Sequence, residues 1–178
     1  VMIKCAHPCN ALAWDPHNQY QCALVSNYPK LTLHVWDTRP NVNATTRMYV
    51  HDSDTVSASV VRWNPHIQGQ IAIGCSNGVV YIVDCEKRRA VPLKVVERTL
   101  SVIDIQWDRL SAVYMIVAYQ SFISLWDTEV GNEVHVFEKQ SAGVSCLAWM
   151  DWTAGNFVSS NPKTGEIYYV TTVFMTEI

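Results

Sequence analysis

An all-β fold made of four copies of one unit is predicted by three observations. Tryptophans recur at positions 14, 63, 107 and 149, separated by 49, 44 and 42 residues. A second landmark follows each of them 19 to 22 residues later. No stretch sustains a 3.6-residue apolar period, which removes long amphipathic helices from consideration. Self-similarity at a fixed period of this size is the mark of repeat architectures.

The elements follow in order. Each marker tryptophan closes an apolar run that reads as a first strand: Ala11-Leu12-Ala13-Trp14, Val60-Val61-Arg62-Trp63, Ile103-Asp104-Ile105-Gln106-Trp107 and Cys146-Leu147-Ala148-Trp149. These place first strands at roughly 10–14, 58–63, 102–107 and 144–149. Two of them enter the same turn, Trp14-Asp15-Pro16-His17 and Trp63-Asn64-Pro65-His66. The second landmark reads Leu33-His34-Val35-Trp36-Asp37, Tyr81-Ile82-Val83-Asp84, Ser124-Leu125-Trp126-Asp127 and Tyr168-Tyr169-Val170-Thr171. Between the landmarks, β-branched and aromatic residues alternate over short runs bounded by turn residues. In the second unit the four strands fall at 58–63, 70–75, 79–83 and 91–96, and Ser76-Asn77-Gly78 suits a tight hairpin because Asn-Gly accepts positive φ at low cost.

Four short antiparallel strands per unit make one blade of a β-propeller. The units run approximately 1–50, 51–96, 97–137 and 138–178, about sixteen strands in all. The opening Val1-Met2-Ile3-Lys4-Cys5 reads as the outer strand of a preceding blade, and Val173-Phe174-Met175 as the outer strand of the fourth. With Val1 rather than Met at the start, the chain is expected to be part of a larger ring. The remaining blades of a parent chain or a second copy are expected to close it.

The Trp-Asp pairs at 36–37 and 126–127 make the chain similar to WD-repeat proteins, over nearly all 178 positions. Val83-Asp84 keeps half of the dipeptide and Val170-Thr171 has lost it. The family's Gly-His opening is reduced to His7 and His51. The aspartate of its second hairpin is absent from all four units, with Asn77 the nearest substitute. A narrower similarity runs through Val60-Val61-Arg62-Trp63, Trp107-Asp108-Arg109-Leu110-Ser111 with Tyr114, and Cys146-Leu147-Ala148-Trp149. There the chain resembles long scaffolds with tandem propellers and a helical-repeat tail, as in ciliary transport and coat complexes. The resemblance implies a non-catalytic protein-interaction scaffold, cytoplasmic or ciliary, with other proteins as partners.

Composition excludes several classes. Thirteen basic and sixteen acidic side chains leave a net charge of −3, so no whole-chain attraction to nucleic acid or anionic membrane is expected. No apolar run approaches the ~18 residues of a membrane span. No phosphate-cradling glycine loop, nucleophile elbow or zinc-protease helix occurs, so no enzyme activity and no cofactor are predicted. Of six cysteines none forms a C-x-x-C pair. Cys5, His7 and Cys9 start a metal site whose second ligand pair is missing, so no metal is assigned. His17 and His66 follow an acid or amide by two residues, but their repetition in equivalent loops marks a structural turn rather than a pair of bases.

Binding residues are therefore sought on the loops. The turns at 27–30, 76–78, 119–121 and 161–165 line one rim, where Tyr28, Lys30, Tyr119 and Gln120 replace small and acidic residues. Six of the seven tryptophans are core by position; Trp152, in the loop after a first strand, is a contact anchor or a plug. Lys87, Arg88 and Arg89 form a basic run that a phosphate or an acidic partner would meet. A nucleic-acid- or phosphoinositide-binding propeller, or a substrate-recognition propeller of a modifying complex, is the alternative reading.

Overall fold

A computed structural model describes residues 8–40, 45–52, 55–93, 100–137, 143–151 and 155–171, and none of these is helical. They form four antiparallel sheets, each a meander in which consecutive strands pair. The first holds β1 (Cys9–Trp14), β2 (Gln21–Ser26), β3 (Leu31–Asp37) and β4 (Thr45–His51). The second holds β5 (Ala58–Trp63), β6 (Gln70–Cys75), β7 (Val80–Asp84) and β8 (Arg89–Pro92). The third holds β9 (Val102–Trp107), β10 (Tyr114–Tyr119), β11 (Ile123–Asp127) and β12 (Asn132–Phe137). The fourth shows β13 (Cys146–Trp149), β14 (Asn156–Ser160) and β15 (Ile167–Thr171). The outer strands expected at 1–5 and 173–175 lie outside the described residues. This arrangement of repeated antiparallel sheets of three or four strands is compatible with a propeller. No helix among the described residues is long and apolar enough to cross a membrane.

The first strands begin and end within two residues of where the repeat places them. The fourth strand of the second unit differs: it lies at Arg89–Pro92, nearer the preceding turn than 91–96. Asp84 pairs with Arg89 across that hairpin, so the turn is only four residues long. The Ser76-Asn77-Gly78 hairpin forms as its residues demand. Gly78 takes φ 85°, and the Asn77 carboxamide accepts the Val79 N–H at 3.2 Å.

The core lies between sheets rather than within one. In each sheet the marker tryptophan shares a face with its cross-strand partners: Trp63 with Ile71 and Val83, Trp107 with Met115 and Trp126, Trp149 with Phe157 and Val170. That face packs on the opposite face of the preceding sheet. Ala23, Val25 and Leu33 meet Val61, Trp63 and Ile71; Val60, Ala72 and Val80 meet Ile105, Trp107 and Trp126; Ile116, Ala118 and Leu125 meet Leu147, Trp149 and Phe157.

Each indole also donates across its joint. Trp63 Nε1 donates to the Ala13 carbonyl at 3.1 Å, Trp107 Nε1 to Arg62 at 3.3 Å and Trp149 Nε1 to Gln106 at 2.9 Å. The acceptor is always the residue before the previous unit's own tryptophan. Trp14 departs from the expectation of a buried core residue: it is 54% exposed, against 7% for Trp63. The reason is positional, because among the described residues no sheet covers the Trp14 face of β1.

Asp104 adds a polar pin. Its carboxylate accepts Arg62 Nη2 at 2.8 Å and the Ile105 and Leu147 N–H groups at 2.9 and 3.1 Å, tying the second, third and fourth sheets together. Close approach is equally specific at Gly74. A Cβ there would stand 2.5 Å from a methyl of Val102 and 2.7 Å from one of Val60.

Trp63→Ala, Trp107→Ala and Trp149→Ala are each expected to lower the unfolding free energy by ~3–5 kcal/mol in urea titrations, since each leaves a cavity and an unpaired carbonyl. Gly74→Ala should cost ~1–3 kcal/mol in the same assay by forcing two sheets apart. A loss within error for Gly74→Ala would contradict this packing.

Candidate functional site

The turns after the first strands of the first three sheets are built the same way. Asp15, Asn64 and Asp108 are buried, and each side-chain oxygen accepts the backbone N–H two residues on, from His17, His66 and Leu110 at 2.8, 2.8 and 2.9 Å. Such a side-chain-to-backbone turn needs a short carboxylate or carboxamide, which is why Asp and Asn alternate here.

The histidines then reach to the next unit. His17 Nε2 donates to the Asn64 carbonyl and His66 Nε2 to the Asp108 carbonyl, both at 3.1 Å. A carbonyl accepts only, so both rings carry their proton on Nε2. They brace neighbouring turns. In the third unit Leu110 occupies the histidine position, and Arg109 bridges instead to Asp151, 3.4 Å away in the fourth. Burial pushes the Asp108 carboxyl above its usual range, although the Leu110 N–H and the nearby His66 pull the other way.

A groove of about 180 Å³ opens between these turns and is lined by Trp14, Arg62, Pro65, Gln106, Trp107 and Arg109 among others. It offers indole edges, proline rings, a carboxamide and two guanidinium groups from three successive sheets. Arg62 is held by Asp104, so its position is fixed; Arg109 is the more exposed cation. Such a lining suits a peptide segment that carries a carboxylate beside an apolar side chain.

The residues singled out from sequence are dispersed. Tyr28 is exposed on the β2–β3 turn, and Lys30 on the same turn pairs with Asp52 at 2.8 Å. Both ends of that pair are solvent-exposed, where such contacts contribute little. Tyr119 differs from the expected rim anchor: it is 1% exposed and stacks on Phe122 at a centroid distance of 4.5 Å. It ends β10 with its ring turned into the joint with the second sheet. Gln120, next to it, is exposed, and its carbonyl stands 3.3 Å from where a Cβ on Gly143 would sit. Trp152 lies outside the described residues, as do Cys5 and His7.

The basic run closes the β7–β8 hairpin. Lys87 donates its N–H to Asp84 and pairs with the same carboxylate at 3.0 Å. Arg88 sits at φ 52° with Nη2 on the Arg47 carbonyl, and Arg89 is exposed on β8. The 27–30 and 119–121 turns lie at one end of the strands, while the groove and the 86–89 turn lie at the other. Arg62, Gln106 and Arg109 stand in the sequence inside first-strand and repeat motifs, which mark them as structural and carry no sign of a shared groove. The repeated Pro16 and Pro65 were the available signal.

Burial pushes two thiols up, Cys75 to about 12 and the half-buried Cys85 to about 11, so neither is disposed to form a thiolate at neutral pH. Among the described residues no group of three or more His, Cys, Asp and Glu side chains is arranged to hold a metal ion. Compared with known proteins, the chain matches no protein-family model and no curated sequence.

Asp108→Asn tests the turn chemistry. Asn64 makes the same turn in the second unit, so the variant should fold, and it removes a desolvated charge. A carboxyl whose folded pKa is raised penalises the fold above that pKa and not below the unfolded value. The variant's melting temperature relative to the parent should therefore rise as pH increases from 4 to 7. A pH-independent difference would refute the assignment.

Proposed function

We propose that this chain is part of a WD-repeat-type β-propeller and acts as a non-catalytic scaffold that binds other proteins in a multiprotein assembly of the ciliary, trafficking or coat kind. The observation that carries the reading is the groove where side chains of three sheets converge at the end of the first strands. Its partner chemistry is an acidic peptide segment with an apolar or proline residue beside the carboxylate. The Trp-Asp pairs at 36–37 and 126–127 and the repeated four-stranded units support the family assignment. Both histidines that a hydrolytic reading would need are committed to neighbouring carbonyls.

The phosphate-binding alternative rests on Lys87, Arg88 and Arg89, of which two are engaged by protein oxygens, as Arg62 and Arg109 of the groove are by Asp104 and Asp151; what separates the two sites is the groove's indole and proline lining. A fluorescence-polarisation screen of Asp/Glu-rich and Pro-containing peptides separates the readings. Binding is expected to weaken about tenfold or more in Arg109→Glu and to be unchanged in the Lys87→Ala/Arg89→Ala double variant. The proposal fails if no peptide binds, or if affinity goes instead to heparin or phosphoinositide vesicles, depends on Lys87 and Arg89, and falls steeply with salt.

A further inference from the structure

One position on the turns after the first strands forms a row of graded chemistry across the sheets. In every sheet the residue after the marker tryptophan donates its N–H to the carbonyl that opens the second strand. Asp15 donates to Gln21, Asn64 to Gln70, Asp108 to Tyr114 and Met150 to Asn156, each at 2.9 Å. The next residue therefore holds the same place on four successive sheets, and it is Pro16, Pro65, Arg109 and Asp151 in turn. Pro16, Pro65 and Arg109 line one groove, and Arg109 Nε stands 3.4 Å from Asp151. The row passes from apolar to basic to acidic.

The two charged places are open to a ligand. Arg62, the other cation of the groove, is held at 2.8 Å by the buried Asp104. Arg109 and Asp151 have side chains 58% and 66% exposed. An exposed pair of this kind contributes little, so its members exchange partners at low cost. A carboxylate that takes Arg109 and brings nothing else comes to rest beside the like charge of Asp151, which is unfavourable. A ligand that carries a base beyond its acid satisfies both members at once. A second acid in that place meets repulsion, and like-charge contact of this kind is how an interface rejects the wrong partner.

We propose that the groove selects the order of charges in its ligand. The ligand is a segment of a partner protein in which an acid lies between a proline or apolar residue and a base. The apolar residue rests on Pro65, the acid on Arg109 and the base on Asp151. This order rule rests on the acidic-segment reading of the groove and narrows it. It uses the second, third and fourth sheets, which pack directly on one another, and is independent of what adjoins the first.

Fluorescence polarisation on the 178-residue chain tests the order with three labelled peptides. Two are isomers of identical composition and net charge, one with glutamate between proline and lysine, the other with lysine between proline and glutamate. The third replaces the lysine of the first by alanine. Alanine spacers of about one to three residues between anchors cover the ~10 Å separation of packed sheets. The isomer with glutamate in the middle is expected to bind about tenfold more tightly than the other. The double variant Arg109→Asp/Asp151→Arg keeps an ion pair on exposed turns, should melt like the parent by circular dichroism, and should invert that preference. Equal binding of the two isomers at every spacing, or a folded double variant that keeps the parent's preference, overturns the order rule. If the alanine peptide binds as tightly as the glutamate-centred one and is lost in Arg109→Glu, Asp151 takes no base: the order rule falls and the acidic-segment reading stands. Absence of binding by all three overturns both.

Discussion

One contact repeated three times organises the chain: the tryptophan on the first strand of the second, third and fourth sheets lies against the preceding sheet and hands its indole proton to that sheet's backbone. The ring supplies most of the energy. Burying an indole removes ~150–250 Å² from water, up to about 4–6 kcal/mol at the usual area coefficient. The hydrogen bond adds less, about 1 kcal/mol, but it sets register, because only the carbonyl before the neighbour's own tryptophan is in reach. Register in turn places Asp104 under Arg62 and Leu147, and Gly74 where no side chain fits. A sheet must bury its apolar face against another element, and here the joints between sheets do so.

The Trp-Asp dipeptide does a different job from the one its residues suggest by name. Among the described residues, Trp36 and Trp126 have no hydrogen-bond partner for their indole nitrogens, although Trp126 is fully buried. Their contribution is packing, offset by an unpaired donor. The aspartates act locally. Asp37, Asp84 and Asp127 each accept a backbone N–H two or three residues on, from Arg39, Lys87 and Glu129, and so open the turn into the outer strand. Arg39 also holds the Asp37 carboxyl below its usual range. All three aspartates at this position open the turn in this way, Asp84 after a valine and the other two after a tryptophan.

Much of this architecture was legible in the residues. The tryptophan spacing located the first strands, and Asn77-Gly78 located a hairpin, because both signals are local and chemical. The burial of Trp14 was misjudged for a non-local reason: position in the repeat implies a neighbouring sheet, and the described residues place none on that side. Tyr119 was misjudged because a strand's last residue and a turn's first differ by one position, enough to send a ring to the joint rather than to solvent. The groove was illegible in advance. Arg62, Gln106 and Arg109 come from two strands and a turn, and only the stacking of sheets brings them together.

Hydrogen exchange at the indole nitrogens tests the joint directly. In heteronuclear spectra of the nitrogen-15-labelled chain, with resonances assigned by Trp→Phe variants, the Nε1 protons of Trp63, Trp107 and Trp149 should exchange slowly and together, at rates set by opening of the sheets. Exchange of any of these three at the rate of a free indole, in a chain whose strand amides remain protected, would contradict the account.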